Sequence, residues 1–121
     1  MPGTNTSLMP PFTVLFEDNH LLIVNKPAGV LSQSDATGDK SLVDLGNEFI
    51  KDKYHKPGAV FLGLVHRLDR PVSGVLVLAR TSKALERMNA LFRNKETEKI
   101  YWALVSNKPP AAEGTLNHWL L

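Results

Sequence analysis

The sequence predicts an α+β fold, a mainly antiparallel mixed β-sheet of about five or six strands with two helices on one side. Three observations carry this expectation. Phe12, Val14 and Phe16 alternate with Thr13, Leu15 and Glu17, and a run from His20 to Asn25 carries Leu21, Leu22, Ile23 and Val24, the pattern of two paired strands. Leu42, Leu45 and Phe49, and further on Leu85, Met88, Leu91 and Phe92, recur at the spacing of a packed helical face. Two short apolar runs, Ala59 to Val65 and Gly74 to Arg80, are bounded by turn residues and lie between the helical segments. With 121 residues and 43% hydrophobic content, the chain has material for one modest core.

Met1 to Pro11 is rich in Pro, Thr, Ser and Gly and has no periodicity, so residues 1–11 read as a disordered tail and residues 12–121 as one domain. Asp18 and Asn19 supply the turn between the first two strands. Lys26, Pro27, Ala28 and Gly29 then break the β pattern, because proline removes a ladder donor and glycine permits positive φ. Ser41 with Asp44 three residues on is a capping signature, which starts the first helix and carries it to about Lys53. Pro57 and Gly58 close that region. After the two apolar strands, Thr81 or Ser82 caps the second helix, in which methionine is core filler. Glu98 to Ser106 alternates Ile100, Trp102 and Leu104 with Tyr101, Ala103 and Val105, and is expected to be a strand. Gly114 to Leu121 reads as the start of another strand. The chain stops on Trp119, Leu120 and Leu121, an ending expected of a domain cut short.

Composition narrows the chemistry. Without cysteine there is no disulfide, thiolate metal site or cysteine nucleophile, and the reacting groups must be oxygen and nitrogen side chains. The formal charge of +2 is compatible with a polyanionic partner but decides nothing. Arg80, Lys83, Arg87, Arg93, Lys95 and Lys99 face Glu86, Glu96 and Glu98 as a solvated helix face does. The N-terminal segment lacks the basic and apolar parts of a secretory signal, and no stretch approaches membrane-spanning length. A soluble, cytoplasmic protein is expected.

The informative segment is His66-Arg67-Leu68-Asp69-Arg70-Pro71-Val72-Ser73-Gly74, a polar loop between two apolar strands. Arg67 and Asp69 are two apart, so extended backbone points them the same way, while Pro71 and Gly74 set the turn that follows. On spacing alone, two readings stand. Asp69 accepts backbone hydrogen bonds in a tight turn with Arg67 as a surface partner, or the pair opens into a cleft as a reactive carboxylate beside a guanidinium. His66 reads more simply as a hydrogen-bonded scaffold residue, since no second histidine or carboxylate stands at metal spacing.

These residues resemble the signature of RluA-type RNA pseudouridine synthases: His66 to Asp69, then Ser73 and Gly74, then the apolar run Val75 to Ala79 ending in Arg80. Asn25-Lys26-Pro27-Ala28-Gly29 is similar to the family's first motif, and Lys99, Tyr101, Ala103 and Val105 to its later strand motif. Val72 departs from the threonine usual in the family, losing a hydroxyl but keeping the β-branched shape. The resemblance runs from about Val14 to the C terminus and implies the N-terminal part of a catalytic domain.

As the resemblance implies, uridine in transfer or ribosomal RNA is isomerised to pseudouridine without a cofactor or metal. Asp69 would be the nucleophile or the base that removes a ribose proton. Tyr101 would supply an aromatic face and a hydroxyl, although packing into the core is its plain alternative. Arg67 would fill the gap left by a flipped base, with His66, Arg70, Lys26, Arg80 and Lys83 at the RNA. The family's catalytic domain continues beyond the position of Leu121 and carries there a basic partner for the aspartate. A non-catalytic RNA-binding fragment is therefore the rival reading for these 121 residues, with self-association through an uncovered sheet edge expected. A glycoside hydrolase needs a second acid at a defined separation, and no comparable motif supplies one.

Overall fold

A computed structural model describes residues 11–108. Its frame is a four-stranded antiparallel sheet in the order β1-β2-β4-β3, with β1 Thr13–Glu17, β2 Leu21–Lys26, β3 Gly63–Leu64 and β4 Gly74–Ala79. Helix α1, Leu42–Tyr54, lies between β2 and β3, and α2, Ser82–Arg93, follows β4.

The β1–β2 hairpin forms where the alternation places it. Asp18 makes the turn by accepting the amides of His20 and Leu21 on Oδ1, both at 2.7 Å. The register shifts between Val14 and Phe16, leaving Leu15 and Phe16 exposed on an edge strand. β2 and β4 pair through six residues each, bringing the fully buried Leu22 and Val24 opposite Leu78 and Leu76. With Leu42, Ile50, Leu62 and Leu68, these side chains form the core.

Both helices are capped as the sequence indicates. Ser41 and Asp44 form a reciprocal capping box on α1, and the Thr81 hydroxyl accepts the Ala84 amide on α2. α1 lies on the Leu22 and Leu78 face, close enough that a Cβ on Gly46 would stand 2.7 Å from Leu62 Cδ2. Gly63 is paired with Ala79, next in the strand to Leu78, and it faces Leu85 of α2. The helices thus take one face each rather than sharing one. β4 is apolar on both sides, with Leu76 and Leu78 turned one way and Val77 and Ala79 the other, so both faces need cover.

Two expected strands differ. The run Ala59 to Val65 pairs only at Gly63 and Leu64, because in this antiparallel register the residues before Gly63 lie beyond the end of β4 at Ala79. Glu98 to Ser106 forms no strand among the described residues: it pairs with no strand of the sheet, and Trp102 stands 96% exposed. The sheet accordingly has four strands among the described residues instead of five or six. The expected tail, apart from Pro11, and the expected strand from Gly114 lie outside the described residues.

Candidate functional site

The motif loop leaves the sheet at Val65, whose amide donates to the Val77 carbonyl. β3 has ended by then, and the next amide of β4 that needs an acceptor finds one in a side chain: Val77 N–H donates to His66 Nε2 at 3.1 Å. The His66 ring also stacks on Phe92 of α2, with centroids 5.0 Å apart. Burial, together with the nearby Lys99 ammonium, holds its pKa below the usual histidine value and keeps the imidazole neutral, as an acceptor must be. His66 is therefore a splice between loop, sheet and α2, as its scaffold reading has it, and its ring also borders the open cleft that Tyr101 lines.

Beyond it, exposure alternates. Arg67 and Asp69 are exposed and Leu68 between them is buried in the core. The Leu68 backbone is gripped by Ser32, whose Oγ donates to the Leu68 carbonyl at 2.6 Å and accepts the Leu68 amide at 3.0 Å. On the other side of Asp69, the Arg70 carbonyl accepts from the Gly29 amide at 2.7 Å and from Lys26 Nζ at 3.2 Å. A turn closed by Val72 N–H on the Asp69 carbonyl reverses the chain, and Gly74 enters β4 at φ 146°, a conformation L side chains rarely adopt. Asp69 is thus carried by backbone held on both sides. Among the described residues, no hydrogen bond or ion pair engages its carboxylate, and none engages Arg67.

Three cations expected at the RNA make contacts within the fold. Lys26 has no exposed surface; its Nζ donates to the carbonyls of Pro27 at 3.1 Å and Val30 at 2.6 Å as well as Arg70. Burial, with the Arg70 guanidinium beside it, lowers the Lys26 pKa. Arg80 donates to the Asp18 carbonyl, lies 3.5 Å from Glu17 and covers the Tyr54 ring. Arg70 spans the Gly29 carbonyl and the Asp39 carboxylate, joining the two loops. Charge does not distinguish a solvent-facing cation from one drawn inward by carbonyls: Lys26 and Arg80 are drawn inward, while Arg70 stays exposed.

Tyr101 is 63% exposed and lines an open cleft of about 500 Å³ with Leu68, Ser73, Gly74, Val75 and Phe92. This is within the range of about 300–1,000 Å³ usual for small-molecule sites. Leu68 and Val72, on either side of Asp69 in sequence, border the cleft, while Asp69 is outside its lining. Ser32 escaped sequence reasoning. It lies in a segment without periodicity, and its bonds reach 36 residues along the chain, so neither spacing nor composition signals it. Among the described residues there is no cluster suited to a metal ion and no helix long and apolar enough to cross a membrane.

The comparisons fall on this same region. The family described as RNA pseudouridylate synthase matches residues 20–121. An RNA pseudouridine synthase of Synechocystis is 33% identical over 108 residues, covering 88% of this chain and 33% of the relative. The mitochondrial pseudouridylate synthase RPUSD4 of Xenopus tropicalis is 38% identical, covering 86% and 32%. Ribosomal large subunit pseudouridine synthase C of Vibrio cholerae is 41% identical, covering 76% and 27%. The chain thus spans a third or less of the length of these curated relatives. Among solved structures, human RNA pseudouridylate synthase domain containing 4 superposes with a TM-score of 0.59 at 28% identity, covering 69% of this chain and 30% of that one. Human RNA pseudouridylate synthase domain containing 1 shares the fold, with a TM-score of 0.50 at 22% identity over 78% and 31% of the two chains.

Proposed function

This chain belongs to the RNA pseudouridylate synthase family, and from that premise we propose that it contributes the aspartate-bearing part of an enzyme that isomerises uridine to pseudouridine in RNA. The observation that supports this most is the exposed carboxylate of Asp69 between two backbone anchors, Leu68 on Ser32 and Arg70 on Lys26 and Gly29. A reacting group gains most from a support that fixes its position before substrate arrives.

In the proposed reaction the bond from ribose C1′ to uracil N1 breaks, the uracil turns, and C5 bonds to C1′. C5 loses its hydrogen and N1 ends protonated, so atoms balance with no redox partner. Asp69 acts on the sugar as its ionised carboxylate, either attacking it or removing a ribose proton. The nucleotide must first leave its stack, at a cost of a few kcal/mol. Arg67, planar and exposed beside Asp69, suits the vacated position, and Tyr101 offers its ring to the uracil. Of the two expected RNA classes, ribosomal RNA has the support of the Vibrio relative, whose name carries the large ribosomal subunit. The proposed setting is cytoplasmic, supported by the bacterial relatives, with the mitochondrial Xenopus relative as the other setting. The exposed run of Ile100, Tyr101, Trp102, Leu104 and Val105 supports self-association.

The test is a single-turnover assay of the whole enzyme that carries this segment on ribosomal RNA tritiated at uracil C5. Release of tritium to water together with pseudouridine in the digest is the expected result. RNA binding with no release would replace this reading with that of a non-catalytic RNA-binding segment.

A further inference from the structure

Ser32 is nearly buried, at 5% exposure, and uses its single hydroxyl twice: the O–H donates to the Leu68 carbonyl while an oxygen lone pair accepts the Leu68 amide. Its own backbone is held in turn. The Leu31 carbonyl accepts from Leu42 N–H at 2.6 Å and the Ser32 carbonyl from Val43 N–H at 3.4 Å, both in the first turn of α1. Those amides belong to the group a helix start leaves without intrahelical partners. The start of α1, the Ser32 side chain and the peptide units flanking Leu68 therefore form one continuous strut, and Asp69 is the next residue. Lys26 and the Gly29 amide hold the far side, at the Arg70 carbonyl, but neither constrains the peptide that leads into Asp69.

We propose that Ser32 is a positioning residue for Asp69, fixing the carboxylate's approach to the ribose by locking the Leu68 backbone to α1. The inference deepens the reading of Asp69 as the reacting group and rests on it. Ser32 touches neither RNA nor the reacting atoms. Its hydroxyl selects one orientation of the 68–69 segment. Without it, the Leu68 side chain still fills the core, but the backbone loses two bonds that set its rotation. A displacement of about 1 Å at a reacting group is enough to cost on the order of 100-fold in rate, so the effect belongs in the chemical step and not in affinity.

The experiment compares Ser32→Ala and Ser32→Thr with the unaltered full chain, measuring the single-turnover rate at saturating RNA and the RNA Kd separately. Ser32→Ala is expected to lower the saturated rate about 10- to 100-fold with Kd within about threefold, and Ser32→Thr, which keeps the hydroxyl, to restore the rate to within about fivefold. Hydrogen exchange on the unaltered chain adds a readout independent of any variant: the Leu68 amide is expected to be protected although its segment is not in a strand. If Ser32→Ala fails to fold by circular dichroism, Ser32→Cys, of similar volume with a weakly bonding sulfur, replaces it under the same criteria. A folded variant without the hydroxyl that turns over as fast as the unaltered chain, or one that loses affinity at unchanged saturated rate, overturns the inference while leaving the Asp69 reading intact. An unaltered chain that yields no pseudouridine overturns both.

Discussion

Replacing Lys26 by methionine removes an ammonium that has three carbonyl partners and no contact with solvent. Methionine keeps most of the apolar stem, so the change isolates the polar head. The Arg70 carbonyl retains the Gly29 amide, but the carbonyls of Pro27 and Val30 lose the donor that Lys26 supplied. A fully buried acceptor left without a partner costs about 1–3 kcal/mol; both bonds here are part-buried, so the gross loss lies in the lower part of roughly 2–6 kcal/mol. The variant also no longer has to dehydrate a charge, which offsets part of this. What remains exposed to loss are dipoles and not a second charge, so the net effect settles toward the lower end, about 2–3 kcal/mol. Urea unfolding of the full chain, followed by circular dichroism, is expected to show the midpoint moved down with the slope unchanged. A loss below about 0.5 kcal/mol, or a gain, would refute the claim that carbonyls draw this lysine inward as a structural tie.

Three further outcomes follow from particular contacts. Gly63→Ala puts a methyl 2.7 Å from Leu85 Cδ2 and 3.3 Å from its Cγ, so the isobutyl group as a whole must move and a loss of about 1–3 kcal/mol is expected in the same unfolding assay. His66, neutral through burial and the Lys99 charge, has its folded pKa below 6.5; the unfolded state takes up its proton first, so stability falls as pH drops from about 6.5 toward the folded value, and the His66 ring resonances observed by NMR should titrate below 6.5. For Glu17, burial raises the pKa, but hydrogen bonds from Lys53 and Tyr54 and the charges of Lys53 and Arg80 outweigh it and leave the value lowered. The stability Glu17 supplies is present above the unfolded value of 4.5 and lost as pH falls through the lower folded one, so Glu17→Gln should flatten the acid limb of a stability-versus-pH profile.

The parts of the fold legible from the sequence are those governed by local rules. The alternation of β1, the Ser41–Asp44 box and the Leu85 to Phe92 stripe each state their structure within a few residues, and each element formed there. Strand length is a different matter, because a strand needs a partner along its whole run. The apolar run from Val60 has one only at Gly63 and Leu64, and the alternating run after Glu98 has none among the described residues. The motif loop stands out as a polar run between apolar strands, and spacing puts Arg67 and Asp69 on one side, but its reading as a site rests on the family resemblance. Its supports were not visible. Lys26 and Arg80 carry the same formal charge whether they face phosphate or a ring of carbonyls, and Ser32 is an ordinary serine until Leu68 arrives beside it from 36 residues away.

The role proposed for the Asp69 carboxylate is to react, and not merely to shape a turn. Its backbone carbonyl already accepts the Val72 amide, so the turn does not require the side chain. Asp69→Asn preserves shape and removes only the ionised oxygen, which separates the two roles. Measured as pseudouridine formed per RNA bound, with the full chain at saturation, the account predicts no detectable product while RNA affinity stays within about threefold and the melting temperature within a few degrees. An Asp69→Asn chain that still converts uridine at a rate near that of the unaltered protein would contradict it.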